Sequence, residues 1–97
     1  GGVLSDIVFL DQGKEVMSGS IEDLNQRFLE LRPKGDNLEK AKALNPLSIR
    51  TELGRPVYLY EGADVEKLKD FGEVHPPAIA DLFLAVMKKN SEEGEVK

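Results

Sequence analysis

Leu47-Ser-Ile-Arg-Thr-Glu-Leu-Gly-Arg-Pro-Val-Tyr-Leu-Tyr-Glu61 carries the pattern of two strands joined by a tight turn. Residues Leu47, Ile49, Thr51 and Leu53 fall on one side at a period of two, as a half-buried strand requires. Gly54-Arg55 offers a tight turn, because glycine reaches positive φ without a steric cost. Pro56–Glu61 then returns, with Val57 and Leu59 on one side and Tyr58 and Tyr60 on the other.

Upstream, Asp36–Leu44 carries Leu38, Ala41 and Leu44 at helical spacing, with Asp36 as a candidate cap and Glu39 three residues on. Asn45-Pro46 ends it, since the residue before proline avoids the helical region. Before that helix, Arg27–Pro33 holds Phe28, Leu29 and Leu31 and reads as a strand closed by Pro-Lys-Gly. Downstream, Gly62-Ala-Asp64 opens a helix running through Leu68, Gly72 is placed to cap its end, and Glu73-Val74-His75 is a short strand. The order from Arg27 to His75 is therefore β-α-β-β-α-β. That predicts an α+β, ferredoxin-like antiparallel sheet with two helices on one face.

Two further elements flank this block. At the start, Ile7–Leu10 and Glu15–Met17 form an expected hairpin around Asp11-Gln12-Gly13, and the Ser20 hydroxyl caps a short helix over Ile21–Gln26. At the end, Pro76-Pro77 lead into a helix on which Ile79, Leu82, Phe83, Val86 and Met87 make one apolar stripe, while Leu84 falls outside it. The expected domains are 1–26 for the hairpin and short helix, 27–90 for the ferredoxin-like domain, and 91–97 for a polar, disordered tail.

Composition narrows the function classes. With 18 acidic and 13 basic residues, the net charge of −5 disfavours nucleic acid and anionic lipid. No apolar run approaches the length of a membrane span. The absence of cysteine removes disulfides, thiolate metal sites and a cysteine nucleophile.

The opening run resembles the end of the nucleotide-binding domain of ABC transporter ATPases, on Asp6, Val8, Gly13, Gly19, Ser20 and Leu24. The likeness continues into the small C-terminal domain that many bacterial export ATPases carry, on Gly72-Glu-Val74, Pro77, Ile79, Asp81-Leu-Phe-Leu84 and Met87. It departs at Ala78, where the family has Ser or Thr. The resemblance implies a C-terminal part of an ATP-binding protein, cytoplasmic at the inner face of the membrane. Its implied partners are the ATPase domain of the parent, a permease subunit and a second copy in a homodimer, with neither nucleic acid nor direct membrane insertion. ATP and Mg would belong to the parent; no cofactor is expected in this stretch.

No catalytic set emerges from the residues. A phosphate loop, an Asp-Glu strand end and an ABC signature are all missing from the sequence. His75 has only Glu73 near it and reads as an ordinary strand-end histidine; the pairs Glu22/Asp23, Asp64/Glu66 and Glu92/Glu93 read as caps or solvated faces. Tyr58 and Tyr60 admit two readings. An exposed pair on a sheet stacks bases in RNA-recognition modules, whereas a buried pair packs here under the C-terminal helix, which the charge favours. The expected role is a noncatalytic accessory domain making dimer or permease contacts, with Ile7, Phe9, Phe83, Leu84, Tyr58 and Tyr60 as candidate contact residues. The alternative is a regulatory module that senses a small molecule. The hairpin, cut from a parent sheet, is expected to pair with this domain's own sheet or with a second chain.

Overall fold

A computed structural model describes residues 6–95. The fold is α+β, with one two-stranded and one four-stranded antiparallel sheet. Its elements are β1 (Asp6–Asp11), β2 (Lys14–Ser20), α1 (Ile21–Arg27), β3 (Phe28–Pro33), a 3-10 turn (Gly35–Asn37), α2 (Leu38–Lys42), β4 (Ser48–Glu52), β5 (Arg55–Glu61), α3 (Val65–Lys69), β6 (Gly72–His75) and α4 (Ile79–Glu95). The chain divides into two compact units, Gly1–Leu24 with Ala78–Lys97, and Asn25–Pro77. The expected division at 26/27 and 90/91 thus places α4 differently: it belongs with the hairpin. Of the tail expected over 91–97, residues 91–95 continue α4 and 96–97 lie outside the described residues.

In the first unit, β1 and β2 pair with each other alone, in their own sheet. The expected alternative of joining the domain's larger sheet is not the one adopted. Gln12 (φ 55°) and Gly13 (φ 82°) make the turn, a left-handed pair that matches the twist of the strands. Phe9 pairs with Met17 and Leu10 with Glu15, so Val16 is the extra residue of a bulge. The Ser20 hydroxyl accepts from the Asp23 N–H at 3.0 Å, as the capping pattern requires. In α4 the first helical bond runs from the Leu82 N–H to the Ala78 carbonyl. Ala78 offers no side-chain oxygen to that end.

In the second unit the sheet order is β4-β5-β3-β6. The connection from β3 to β4 carries α2 and that from β5 to β6 carries α3, each passing one strand. Leu31, Tyr58 and Tyr60 share one face of the sheet and form a buried cluster with Ala41 of α2 and Leu68 of α3. The tyrosines are therefore covered by the two crossover helices, not by α4 as expected. A hydrogen bond is the reason: the Tyr60 hydroxyl donates to the carbonyl of Ala41, so the ring must face α2.

Three local expectations are corrected. The central turn is Leu53-Gly54 rather than Gly54-Arg55, because Glu52 pairs with Arg55; both turn residues have positive φ, 52° and 79°. Asp36 caps nothing by its side chain; the chain enters α2 through a 3-10 turn, and the Asn37 amide donates instead to the Phe71 carbonyl at 3.2 Å. Gly72 is not a helix cap but the first residue of β6, where a Cβ would stand 2.1 Å from the Arg32 carbonyl oxygen. By contrast, Asp64 caps α3 as expected, accepting from the Glu66 N–H at 3.0 Å.

Candidate functional site

The alternation that turns Leu31, Tyr58 and Tyr60 toward the helices turns Glu30, Arg32, Val57, Arg50 and Glu52 the other way. On this second face β4 and β3 are separated by β5, and long side chains bridge across it. The Arg50 guanidinium donates to Glu30 on β3 and, at 2.9 Å, to Glu52 two residues along its own strand. Arg32 of β3 donates to the other oxygen of Glu52 at 2.9 Å. Beneath this chain of charges lies Val57, only 1% exposed. Stems of Arg and Glu cover apolar surface while their heads pair above it.

Burial differs along the network. Glu30 is 5% exposed, and a carboxylate so placed needs its guanidinium partner, since an isolated buried charge is costly. Glu52 is open to water; the hydrogen bond from Arg50, then that from Arg32, holds its carboxyl below the usual carboxylate range.

At the end of this face, beside the Leu53-Gly54 turn, lies a cleft of about 400 Å³. Arg32, Lys34 and Arg55 supply cations to it, Glu52 and Glu73 carboxylates, and Pro33, Pro56 and Leu53 an apolar wall. Arg32 is engaged with Glu52, whereas the side chains of Lys34 and Arg55 have no ion-pair or hydrogen-bond partner among the described residues. Glu73 lies 3.8 Å from the His75 imidazole, and both are largely exposed. In a second hollow of about 340 Å³, the Tyr60 hydroxyl is taken up by the Ala41 carbonyl and the Asp64 carboxylate by the start of α3. Burial pushes the Tyr60 phenol up to about 12, with the neighbouring Tyr58 adding to it. Among the described residues no three His, Asp or Glu gather as a metal site.

The candidate contact residues fall into different settings. Phe9 is 3% exposed and meets Phe83 edge to face at 5.2 Å and 81°, so this pair is core of the first unit. Ile7 is half-buried, and the exposed apolar side chains of β1 are Val8 and Leu10. Leu84 is 64% exposed, as its place off the stripe predicts. Tyr58 and Tyr60 are buried, 6.5 Å apart and edge to face. The ion network and the cleft were not read from the sequence. One signal was available: Arg32-Pro33 and Arg55-Pro56 repeat a dipeptide on strands that become neighbours.

Among the described residues no helix is long and apolar enough to cross a membrane. Comparisons with protein-family models, with curated proteins and with solved structures found no match.

Proposed function

We propose that this chain is the C-terminal part of an ABC transporter ATPase, a noncatalytic accessory region that makes dimer or permease contacts at the cytoplasmic face of the membrane. One observation carries the reading. Most of the opening run and the helical part of the later stretch that bear the resemblance, far apart in sequence, belong to a single compact unit. The Phe9–Phe83 contact and a 2.9 Å hydrogen bond from the Asn90 amide to Asp11 join them. That unit leaves Val8, Leu10 and Leu84 exposed, and apolar side chains facing water are what a contact surface offers a partner. In the other unit, the order β4-β5-β3-β6 with a helix in each crossover supports the ferredoxin-like reading.

The reading frame on the N-terminal side of Val3 tests the assignment. It should encode a phosphate loop, a signature motif and a histidine shortly before Val3; a start codon immediately ahead of Val3 overturns it. In the full-length ATPase, Val8→Asp with Leu84→Asp should weaken dimer assembly or permease co-purification. Assembly and ATP turnover both unchanged would rule out the contact role. The cleft beside Leu53 favours a second reading, a regulatory module that senses a small molecule.

A further inference from the structure

We propose that the cleft beside the Leu53-Gly54 turn binds a small organic carboxylate with a short apolar chain. The inference deepens the small-molecule reading and does not depend on the transporter assignment. Its first support is charge. Three cations and two carboxylates line the cleft, which leaves one positive charge uncompensated. Glu52 is already clamped by Arg50 and Arg32, so the surplus lies with Lys34 and Arg55, whose side chains have no partner among the described residues. A guanidinium presents paired N–H donors that match a carboxylate, and an ammonium adds a second donor at an angle to it. In a chain of net charge −5 this local excess runs against the whole.

The second support is Leu53. It is 97% exposed and sits at φ 52°, a region in which a side chain with a Cβ is strained and Asn or Gly is the ordinary occupant. The folded chain gains no burial from this leucine and bears its strain. Unfavourable backbone kept at the rim of a cleft points to a role there. With Pro33 and Pro56 it gives an apolar wall beside the two cations, so head and tail of an amphipathic anion both find a match. The volume of about 400 Å³ lies within the small-ligand range.

The test is an amide NMR titration of the whole chain at low ionic strength with hexanoate, acetate and inorganic phosphate. Hexanoate should give saturable shifts centred on Lys34, Leu53, Gly54 and Arg55, with acetate about tenfold weaker for want of its methylenes. Lys34→Gln with Arg55→Gln should weaken hexanoate about tenfold or more, whereas Arg27→Gln, a cation paired elsewhere with Glu61, should not. Leu53→Asn keeps the turn and should bring hexanoate down to the acetate level while leaving acetate unchanged. No saturation by ~10 mM hexanoate, or shifts that survive the double substitution, would overturn the proposal. Phosphate binding more tightly than hexanoate and indifferent to Leu53 would also overturn it, by reducing the cleft to a plain anion site.

Discussion

Gly72 brings its Cα so close to the main chain of Arg32 that a Cβ at residue 72 would stand 2.1 Å from the Arg32 carbonyl oxygen and 2.8 Å from the Pro33 Cα. The obstacle is backbone on the neighbouring strand and cannot swing aside. Gly72→Ala should therefore cost about 3 kcal/mol by forcing β6 off β3, measured by urea unfolding. Gly54→Ala is the contrast: its φ is 79° but nothing stands within 4 Å, so only left-handed strain of about 1 kcal/mol is expected.

Leu53 offers the opposite sign. Replacing this exposed, left-handed leucine by Asn should raise stability by about 0.5–1 kcal/mol. The urea midpoint should rise with no change in slope, because the turn geometry is kept and no buried contact is lost.

Breaking the Glu30–Arg50 pair should be far more costly than loosening its exposed neighbour. Arg50→Ala strands the buried Glu30 carboxylate and should cost about 3 kcal/mol, while Glu30→Met with Arg50→Met should recover most of that. Glu52→Gln tests the exposed limb through pH. The Glu52 carboxyl is depressed in the fold, so its contribution is present above the ordinary carboxylate value of 4.5 and is lost as pH falls through the lowered folded value. Wild type and Glu52→Gln should therefore differ at neutral pH and converge in acid.

Tyr60 should control the alkaline side. Its phenol titrates near 12 in the fold against 10.0 for an ordinary tyrosine, so the neutral ring stabilises the fold fully below pH 10 and loses that contribution as pH rises toward 12. Tyr60→Phe should flatten this alkaline fall. At neutral pH it should cost about 1 kcal/mol, since the Ala41 carbonyl keeps the Leu44 N–H as a donor.

Phe9 and Phe83 should be coupled. A double-mutant cycle to Leu at each position should return about 1 kcal/mol for the edge-to-face contact. A coupling near zero would mean that the two rings merely fill space.

Much of the architecture was legible locally. Alternation in Arg55–Glu61, helical spacing in Leu38–Leu44 and the apolar stripe of α4 each fix an element from neighbours in sequence, and Ser20 and Asp64 announce caps that form as read. The failures share a cause. Asp36 looked like a cap and Gly72 like a helix end because the groups that set these places, the Phe71 carbonyl that takes the Asn37 amide and the Arg32 carbonyl beside Gly72, belong to other segments. A turn misplaced by one residue hid Leu53, and with it the rim of the cleft. Phe9 looked like a contact residue because its partner, Phe83, belongs to a helix at the other end of the chain.

The elements, their order and the acidic balance are local properties, since each follows from short-range spacing or from composition. Which elements share a unit, that the tyrosines face α2 and α3, and that Arg32, Lys34 and Arg55 meet in one cleft are choices made in the folded chain. Strand order and register make those choices. They bring residues together across a sheet with no regard for their separation along the chain.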